Sequence, residues 1–202
     1  MLLCGLVFAQ VASAAPILWD PAAGGNGHYY EFVGASNISW TTADVQAEAA
    51  SFMGLDAHLA TITSAAENSF LTNLTSVSLA GTDIGPWFGG YQLPSQPTPI
   101  ANWRWVTGET WSFTDWRPLD PSIYPYAEPN DVDNQENNEE NFAHFHSPGP
   151  TPWKWNDAPN TLGGIPGYLV EYEPAATAVP EPATLTLLGF GLGAAALRRR
   201  KR

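Results

Sequence analysis

Apolar residues recur at helical spacing in two segments of the first half of the chain. In residues 41–54, Thr41 and Asp44 have the spacing of a capping box, a side-chain arrangement that starts many helices. The apolar residues of this segment fall on helical faces, at Ala43, Ala47 and Ala50 and at Val45, Ala49 and Phe52. The pattern predicts a first helix that starts at Thr41.

The second segment, residues 64–74, repeats this arrangement. Ser64 and Glu67 have the capping-box spacing, and a stripe of large apolar side chains follows at Phe70, Leu71 and Leu74. We expect a second helix here, with this stripe buried against the core.

Strand-like runs occupy much of the remaining chain. They are short and often aromatic, and the loops between the later ones are rich in proline, glycine and asparagine. The runs lie at residues 27–33, 58–63, 86–90, 102–106, 140–145, 153–157 and 167–173. Two helices followed by several short strands predict an α+β fold.

The composition indicates a packed domain. The chain has 202 residues, of which 44% are hydrophobic, with 9 Trp, 9 Phe and 7 Tyr. This aromatic content excludes a disordered protein, and the length fits one domain plus targeting segments. Neither a repeat nor a linker divides residues 16–178, so we predict a single domain between the two ends.

The distribution of charge excludes two classes of partner. The formal net charge is −12 at pH 7, and five of the 8 basic residues form the block 198–202 at the end of the chain. Arg104, Arg117 and Lys154 alone precede that block, against 20 acidic residues. This balance repels nucleic acid and anionic membranes, so cations or neutral ligands are the expected partners.

The first fifteen residues have the pattern of a signal peptide. A short apolar run ends in Ala12-Ser13-Ala14, small residues of the kind that precede a cleavage site, although no Lys or Arg comes before the run. We predict export with removal of residues 1–15, and a buried first strand is the alternative. Cys4 is the only cysteine, so the mature chain would contain no disulfide.

The C-terminal segment 175–202 has a second targeting pattern. Its parts are a motif centred on Pro180, Glu181 and Pro182, a mostly apolar span and a basic block, at residues 179–183, 183–197 and 198–202. The span is slightly short for a transmembrane helix of about 17 to 25 residues. The arrangement resembles the PEP-CTERM sorting signal of Gram-negative bacteria, which implies transient membrane insertion, cleavage by an exosortase and release to the cell surface or matrix. A retained membrane anchor is the alternative.

The stretch from Glu128 to Glu140 holds six carboxylates in thirteen residues and no basic residue. Their mutual repulsion leaves three interpretations: a solvated loop, a disordered tail or a cage for a cation. Calcium takes about six to eight oxygen ligands, and one loop rarely supplies them all. Asn156 and Asp157, at the end of an aromatic strand, are a second source of oxygens. The two segments together favour a calcium site.

An ordered set of motifs across residues 27–174 resembles the C-type lectin domain. The set consists of Trp40, His58 to Ile62, Glu67-Asn68, Trp87-Phe88-Gly89, Trp103-Arg104-Trp105, Glu128-Pro129-Asn130, Glu140-Asn141, Trp155-Asn156-Asp157 and Tyr168 to Glu171. The resemblance implies the C-type lectin-like fold, with two helices, short antiparallel sheets and a long calcium-binding loop region. It leaves residues 16–26 as an N-terminal lead-in.

The resemblance also implies one calcium site that binds sugar. The family's calcium ligands fall on Glu128, Asn130, Glu140, Asn156 and Asp157. With a backbone carbonyl from Asp157, these side chains would give about six oxygens and leave two positions for hydroxyls or water. In the family the bond before the proline of Glu-Pro-Asn is cis, which implies a cis bond before Pro129.

The expected ligand is a sugar with vicinal hydroxyls. Each hydroxyl would bind the ion and hydrogen-bond to the side chains of Glu128, Asn130, Glu140 and Asn156. In the family, Glu-Pro-Asn accompanies sugars of the mannose, glucose or N-acetylglucosamine type. Tyr124 and Tyr126 lie in an insertion before Glu128, where they are candidates for stacking on the sugar. Packing of the insertion onto the domain is the alternative.

The chain departs from the family at several positions. Phe142 and Val170 stand where cysteines are usual, so we expect aromatic packing and calcium to compensate for the missing disulfides. Asp131 and Asn141 are candidates for a second calcium, but Asn141 replaces a usual carboxylate, so one ion is expected. The other loop acids would then face solvent, at Asp133, Glu136 and Glu139.

These observations predict an exported, calcium-dependent protein that binds glycans or exopolysaccharide and is not an enzyme. A first alternative keeps the fold as a structural or protein-binding module of the matrix, with calcium only stabilising the loop. A second alternative is a secreted zinc hydrolase that uses His144 and His146. The resemblance favours structural roles for His58 and His144.

Overall fold

The computed structural model of the protein describes residues 15–79, 82–94, 96–122, 126–132, 140–147 and 152–174. Several predicted features lie outside the described residues: the signal peptide up to residue 14, Tyr124, the loop acids Asp133, Glu136 and Glu139, and the sorting motif with Pro180, Glu181 and Pro182. Among the described residues, no helix is both long and apolar enough to cross a membrane.

The first helix, α1, spans Trp40–Glu48 and starts earlier than the sequence predicts. Its N-cap is Ser39, whose hydroxyl accepts a hydrogen bond from the Thr42 amide at 3.2 Å. The predicted cap at Thr41 is therefore wrong, because a serine two residues upstream satisfies the free amides of the first turn. The helix buries Trp40 together with Ala43 and Ala47.

The predicted helix end at residue 54 is also wrong. Strand β3 (Ser51–Phe52) and β4 (Leu55–Leu59) form a hairpin in which Phe52 pairs with Leu55. Its two turn residues, Met53 and Gly54, have φ of 53° and 80°. Positive φ at both central residues is the signature of a tight hairpin turn, which ends helical geometry here. The predicted apolar face through Val45 is wrong too, since Val45 is 65% exposed.

The second helix, α2, spans Ala65–Ser78 and confirms the prediction for this segment. Ser64 is the N-cap and accepts a hydrogen bond from the Glu67 amide at 3.2 Å. The Glu67 carboxylate turns back to the amide of Thr63, at 2.7 Å, instead of to Ser64. Leu71 is completely buried, and Phe70 and Leu74 pack against the same core.

The remaining elements are short strands with mostly antiparallel pairing. Besides the β3–β4 hairpin and a 3-10 turn at Pro21–Ala23, they are β1 (Ile17–Leu18), β2 (Tyr29–Gly34), β5 (Ile84–Tyr91), β6 (Arg104–Trp105), β7 (Phe142–His146), β8 (Lys154–Ala158) and β9 (Gly167–Glu173). The sheet order is β1-β2-β9-β5-β7-β8, with β4 also paired to β9 and β6 to β5. Two helices with this sheet confirm the predicted α+β fold.

Strand β9 connects the two ends of the domain. It pairs along its length with β2, from Tyr29↔Tyr172 to Gly34↔Gly167, and on its other edge with β4 and β5. The pairing with β5 is parallel, whereas its pairings with β2 and β4 are antiparallel. The first and last strands of the domain therefore lie side by side, and β7 and β8 extend the sheet toward the acidic segment.

Aromatic side chains fill the core on both sides of this sheet. Trp155, which is completely buried, contacts a ring of aromatic neighbours: Phe88, Trp105, Trp111, Phe113 and Trp116. At the positions of the missing cysteines, Phe142 packs on Trp40 with ring centroids 4.7 Å apart, and Val170 is completely buried. Apolar side chains thus pack at both positions where the resemblance places cysteines, and at one of them the side chain is an aromatic ring.

Candidate functional site

A backbone ladder brings the acidic segment to strand β8. The Trp155 amide donates to the Asp115 carbonyl at 2.9 Å, and the Arg117 amide donates to the Trp155 carbonyl at 3.0 Å. The Glu128 amide then donates to the Arg117 carbonyl at 2.9 Å. These bonds place Glu128 beside the strand that carries Asn156 and Asp157, so the two predicted ligand segments do meet.

The peptide bond between Glu128 and Pro129 is cis, as the resemblance implies. Directly after it, the Asn130 amide donates to both carboxylate oxygens of Asp157 at 3.1 Å. The Asp131 amide donates to Oδ2 of Asp157 at 2.8 Å. Asp157 is completely buried, and its burial raises the pKa of the carboxyl while these amide donors act in the opposite direction.

The carboxylate of Glu128 is held by two side chains. Its Oε1 accepts from Nη2 of Arg117 in a buried ion pair, and its Oε2 accepts from Nδ2 of Asn130. Burial and repulsion from Asp157 raise the pKa of Glu128 to about 8, although the Arg117 charge acts to lower it. Two buried acids so close to each other favour a cation between or beside them.

Arg117 is the functional residue that sequence reasoning missed. It is 5% exposed and is one of three basic residues that precede the C-terminal block. A lone arginine just upstream of the acidic segment is the sequence signal that would have pointed to it. Its guanidinium forms an ion pair with the Glu128 carboxylate without a metal ion.

Asn156 projects from β8 next to His144 of β7, its cross-strand partner. Its Nδ2 lies 3.2 Å from Nε2 of His144 and also donates to the Asp157 carbonyl. Burial lowers the pKa of His144 to about 3, so the ring is neutral and Nε2 can accept this hydrogen bond. His144 therefore helps to orient a predicted ligand.

Glu140 and Asn141 lie at the far end of the acidic segment, 9% and 8% exposed. The Glu140 amide donates to Oδ1 of Asp131 at 3.1 Å, and the Asn141 carbonyl accepts from the Gln92 amide at 2.9 Å. Asp131 has a φ of 53° and fixes the two ends of the loop to each other. Its part in a second calcium site, with Asn141, stays a prediction.

The three predicted carboxylates do not converge on a common point, although Glu128 and Asp157 interact with each other. Among the described residues, one group of three metal-binding side chains has its ligand atoms within 4.8 Å of one another, and it is His28, Glu171 and Glu173. Glu128, Glu140 and Asp157 do not form such a group among these residues, so binding of one ion by all three would require at least one of the side chains to move. Tyr126, the described half of the predicted aromatic pair, is 52% exposed.

The histidines of the zinc hydrolase hypothesis lie on β7. The rings of His144 and His146 are 6.0 Å apart, and the two residues are not part of a three-ligand group among the described residues. Burial lowers the pKa of His146 to about 4. Zinc sites need at least three converging protein ligands, and the described part of the chain does not bring a third to this pair.

Residues 178–201 match the PEP-CTERM protein-sorting motif. The match confirms the predicted sorting signal. Halomucin from Haloquadratum walsbyi is 32% identical to this chain over 152 residues, which cover 73% of this chain and 1% of halomucin. The chain thus spans a very small part of that protein.

Solved structures with the same fold are C-type lectin-like. The C-type lectin CEL-I from Cucumaria echinata aligns with a TM-score of 0.55 at 20% identity, over 74% of this chain and 93% of CEL-I. A mutant of CEL-I named EPNH aligns with a TM-score of 0.56 at 20% identity, over 74% of this chain and 92% of that one. Human lithostathine aligns with a TM-score of 0.52 at 18% identity, over 73% of this chain and 93% of lithostathine. The chain therefore has the C-type lectin-like fold, and its PEP-CTERM motif is a signal for export and surface association.

Proposed function

We propose that the domain over residues 27–174 is a calcium-dependent glycan-binding module of an exported protein, and not an enzyme. The observation that supports it most is the meeting of two distant segments: the amides of Asn130 and Asp131 both donate to Asp157. That contact brings Glu128 and Asn130 of the loop next to Asp157 of β8, which directly follows Asn156 in the chain. A binding site made of two segments so far apart in the chain depends on the fold to assemble it.

The donor set fits calcium by its chemistry. Carboxylate and amide oxygens are hard ligands that calcium prefers, and none of the five predicted ligands offers nitrogen or sulfur of the kind that zinc prefers. Burial raises the pKa values of the Glu128 and Asp157 carboxyls, and the Asp157 charge raises that of Glu128 further, as expected for two acids close together and away from water. A divalent cation would offset that repulsion, and bound calcium would offer free positions to two hydroxyls of a sugar.

Arg117 improves the charge balance of this arrangement. The three predicted ligand carboxylates carry three negative charges, and the guanidinium of Arg117 contributes one positive charge next to Glu128. With a divalent ion the site would be neutral, a better state for partly buried groups than a residual charge. Arg117 also leaves Oε2 of Glu128 to Asn130, which keeps that oxygen turned toward the loop.

The proposed sugar class rests on the resemblance of Glu128-Pro129-Asn130 to the family motif that accompanies sugars of the mannose type. The Glu128 carboxylate can accept a hydrogen bond from a sugar hydroxyl, and the Asn130 amide can donate one to a hydroxyl oxygen. A diol in contact with both side chains would therefore use both its protons and its lone pairs. The chain has Glu-Pro-Asn here, which matches the first three letters of the CEL-I mutant named EPNH. We propose diols of the mannose, glucose or N-acetylglucosamine type, with an exopolysaccharide or another surface glycan as the natural partner.

A second candidate is a structural or protein-binding matrix module, and one observation favours it. Glu128 already has a cationic partner in Arg117, and Asp157 already accepts from two backbone amides, so the loop is held without a metal. In that case calcium would stabilise the loop or have no role, and no sugar would bind.

A glycan array of the full chain, with calcium and with a chelator, separates the two functions. The proposal predicts binding to mannose-type or glucose-type glycans that the chelator abolishes.

In Asn130→Asp the side chain keeps an acceptor for the Val132 amide but loses its donor to Glu128, so sugar binding should fall at least tenfold. Asn73→Asp, on the exposed side of α2, makes the same charge change elsewhere and should leave binding intact.

A further inference from the structure

A second cluster of metal-binding side chains lies on the sheet formed by β2, β9 and β4. Glu171 and Glu173 alternate along β9 and therefore point to the same face. His58 of β4 is the cross-strand partner of Glu171. His28 stands just before β2, one position beyond the pair Tyr29↔Tyr172, which places it opposite Glu173. The topology thus collects two imidazoles and two carboxylates from three chain segments on one face.

The distances between these groups match the spacing of ligands around one small ion. Nδ1 of His28 lies 2.7 Å from Oε1 of Glu171 and 3.6 Å from Oε2 of Glu173. Nε2 of His58 lies 3.3 Å from Oε1 of Glu173. Ligands at about 2.0 Å from a tetrahedral zinc stand roughly 3.3 Å apart. The ligand atoms of His28, Glu171 and Glu173 lie within 4.8 Å of one another. His58 contacts this group through Glu173, so its ring would have to move toward Glu171 and His28 for all four groups to share one ion.

The orientation of His58 favours a cation at this point. Its Nδ1 lies 2.9 Å from the Leu59 carbonyl, which can only accept, so Nδ1 carries the proton. In this tautomer Nε2 presents a lone pair, and this buried atom has no hydrogen-bond partner in the described part of the chain. It lies 3.3 Å from Oε1 of Glu173 without the geometry of a hydrogen bond. A lone pair next to a carboxylate can bind a metal ion, and an imidazole whose other nitrogen donates to a backbone carbonyl is a common metal ligand.

Hydrogen bonds from Thr61 and Tyr30 hold the Glu171 carboxylate in place. Its Oε2 accepts from the amide and the hydroxyl of Thr61, at 3.0 and 3.1 Å, and its Oε1 accepts from the Tyr30 hydroxyl at 2.8 Å. The side chain of Glu171 is 3% exposed, whereas those of His28 and Glu173 are 24% and 35% exposed. One ligand is thus rigid and buried, and the others leave a route from solvent.

We propose that His28, His58, Glu171 and Glu173 form a binding site for a divalent transition metal, with Zn²⁺ as the probe ion. The mixture of two imidazoles with two carboxylates suits zinc and not calcium, which takes oxygen ligands alone. The ion would tie β2 and β4 to β9, and so fasten the N-terminal part of the domain to its last strand. This site is separate from the acidic loop and does not depend on the proposed glycan binding.

Calorimetric titration of ZnCl₂ into the chelator-treated full chain tests the site. We expect one zinc per chain, with a loss of affinity in Glu173→Gln and in His58→Gln greater than the roughly 10- to 100-fold that removal of a supporting residue costs. Glu173 is partly exposed, so its variant should fold even if His58→Gln does not, which circular dichroism checks. Glu109→Gln, at an exposed position, should bind zinc as the wild type does.

His146→Gln and Glu128→Gln complete the test, because they remove groups of the two other metal hypotheses. Both should keep the zinc stoichiometry and affinity of the wild type. Zinc binding that survives in Glu173→Gln and His58→Gln, or that disappears in His146→Gln or Glu128→Gln, would overturn the proposal. Absence of zinc uptake by the wild type at a hundredfold molar excess would overturn it as well.

Discussion

Arg117 and Glu128 form a buried ion pair at the point where the acidic loop leaves the domain. Arg117 is 5% exposed and Glu128 is 8% exposed, and the Glu128 amide also donates to the Arg117 carbonyl. The two residues are therefore joined by both side chain and backbone. This pair links the strand β8 that supplies Asn156 and Asp157 to the loop that supplies Glu128 and Asn130.

Substitution Arg117→Met should destabilise the calcium-free protein strongly. It leaves Glu128 buried beside Asp157 without its cation, and loss of one partner of a buried pair costs about 3 to 5 kcal/mol. Calcium should restore more stability to this variant than to the wild type, because the ion would then be the sole cation at the site. Urea denaturation with and without calcium measures both effects.

Two further variants control for the Arg117 result. Arg104→Met removes an exposed arginine that lies over the Tyr91 ring, so its stability should change by less than about 1 kcal/mol. Arg117→Met combined with Glu128→Gln removes both charges and should recover part of the lost stability. Equal stability of Arg117→Met and the wild type would show that the pair does not hold the loop.

Trp155 offers a test of how the aromatic core supports the site. Its indole N–H donates to Oδ1 of Asn68 at 2.8 Å, whereas the similarly buried indole N–H of Trp105 has no hydrogen-bond partner among the residues that the structure describes. Trp155→Phe should therefore lose about 1 to 3 kcal/mol more than Trp105→Phe, because only the first leaves a buried acceptor unsatisfied. Thermal and chemical denaturation of the two variants give the comparison, and equal losses would contradict it.

Acid should destabilise the fold through the buried histidines of β7. Burial, and next the Arg117 charge, lower the pKa of His146 to about 4, with Asp83 opposing, and burial lowers the pKa of His144 to about 3. Both pKa values in the folded chain lie below the ordinary value of 6.5. As the pH falls, the unfolded chain therefore binds protons at these histidines before the folded chain does. The stabilisation is complete above about pH 6.5 and is lost as the pH falls toward 4.

The substitution His146→Gln removes one of the two titratable histidines and so measures its share of the acid effect. Between pH 6 and 4.5 the variant should lose stability less steeply than the wild type, by up to about 1.4 kcal/mol per pH unit, reduced by solvent screening of this partly exposed ring. Urea midpoints at half-unit pH steps provide the slopes. Parallel slopes for the two proteins would contradict the prediction, because they would mean that His146 takes up its proton over the same pH range in the folded and in the unfolded chain.

Tyr126 should contribute to glycan affinity and not to calcium affinity. It is 52% exposed beside the loop that carries Glu128, and an aromatic contact is worth about 0.5 to 1.5 kcal/mol. Tyr126→Ala should therefore weaken sugar binding roughly two- to tenfold with calcium binding unchanged. Leu119→Ala, 55% exposed in the same insertion, is the matched control. Unchanged sugar affinity in Tyr126→Ala would indicate that the insertion only packs onto the domain.

Local patterns predicted the elements whose signals are contained within a few residues. Ser64 and Glu67 marked the start of α2 correctly, because a cap acts on the amides of its own first turn. The same logic failed for α1, where Ser39 caps in place of Thr41, since both are good caps and Trp40 must be buried. The ordered motifs from Trp40 to Glu171 identified the fold because their order reflects the whole domain.

Contacts between distant segments could not be read from the sequence in the same way. The partnership of Arg117 with Glu128 depends on the ladder through Trp155, which no local pattern encodes. The cluster of His28, His58 and Glu173 likewise depends on β9 lying between β2 and β4. The first depends on the backbone contacts of Trp155, and the second on strand pairing that brings Glu171 and Glu173 next to His28 and His58, which lie more than a hundred positions away.

Calcium titration of the purified full chain, with and without mannose, tests the central claim most directly. The account predicts uptake of one calcium per chain at the acidic loop, a gain of about 2.7 kcal/mol in stability at a hundredfold excess over the dissociation constant, and mannose binding that occurs only with the ion. Glu128→Gln should weaken both, while Glu173→Gln should leave both intact. Failure of the wild type to take up calcium at millimolar concentration, or mannose binding of equal strength in chelator, would contradict the account.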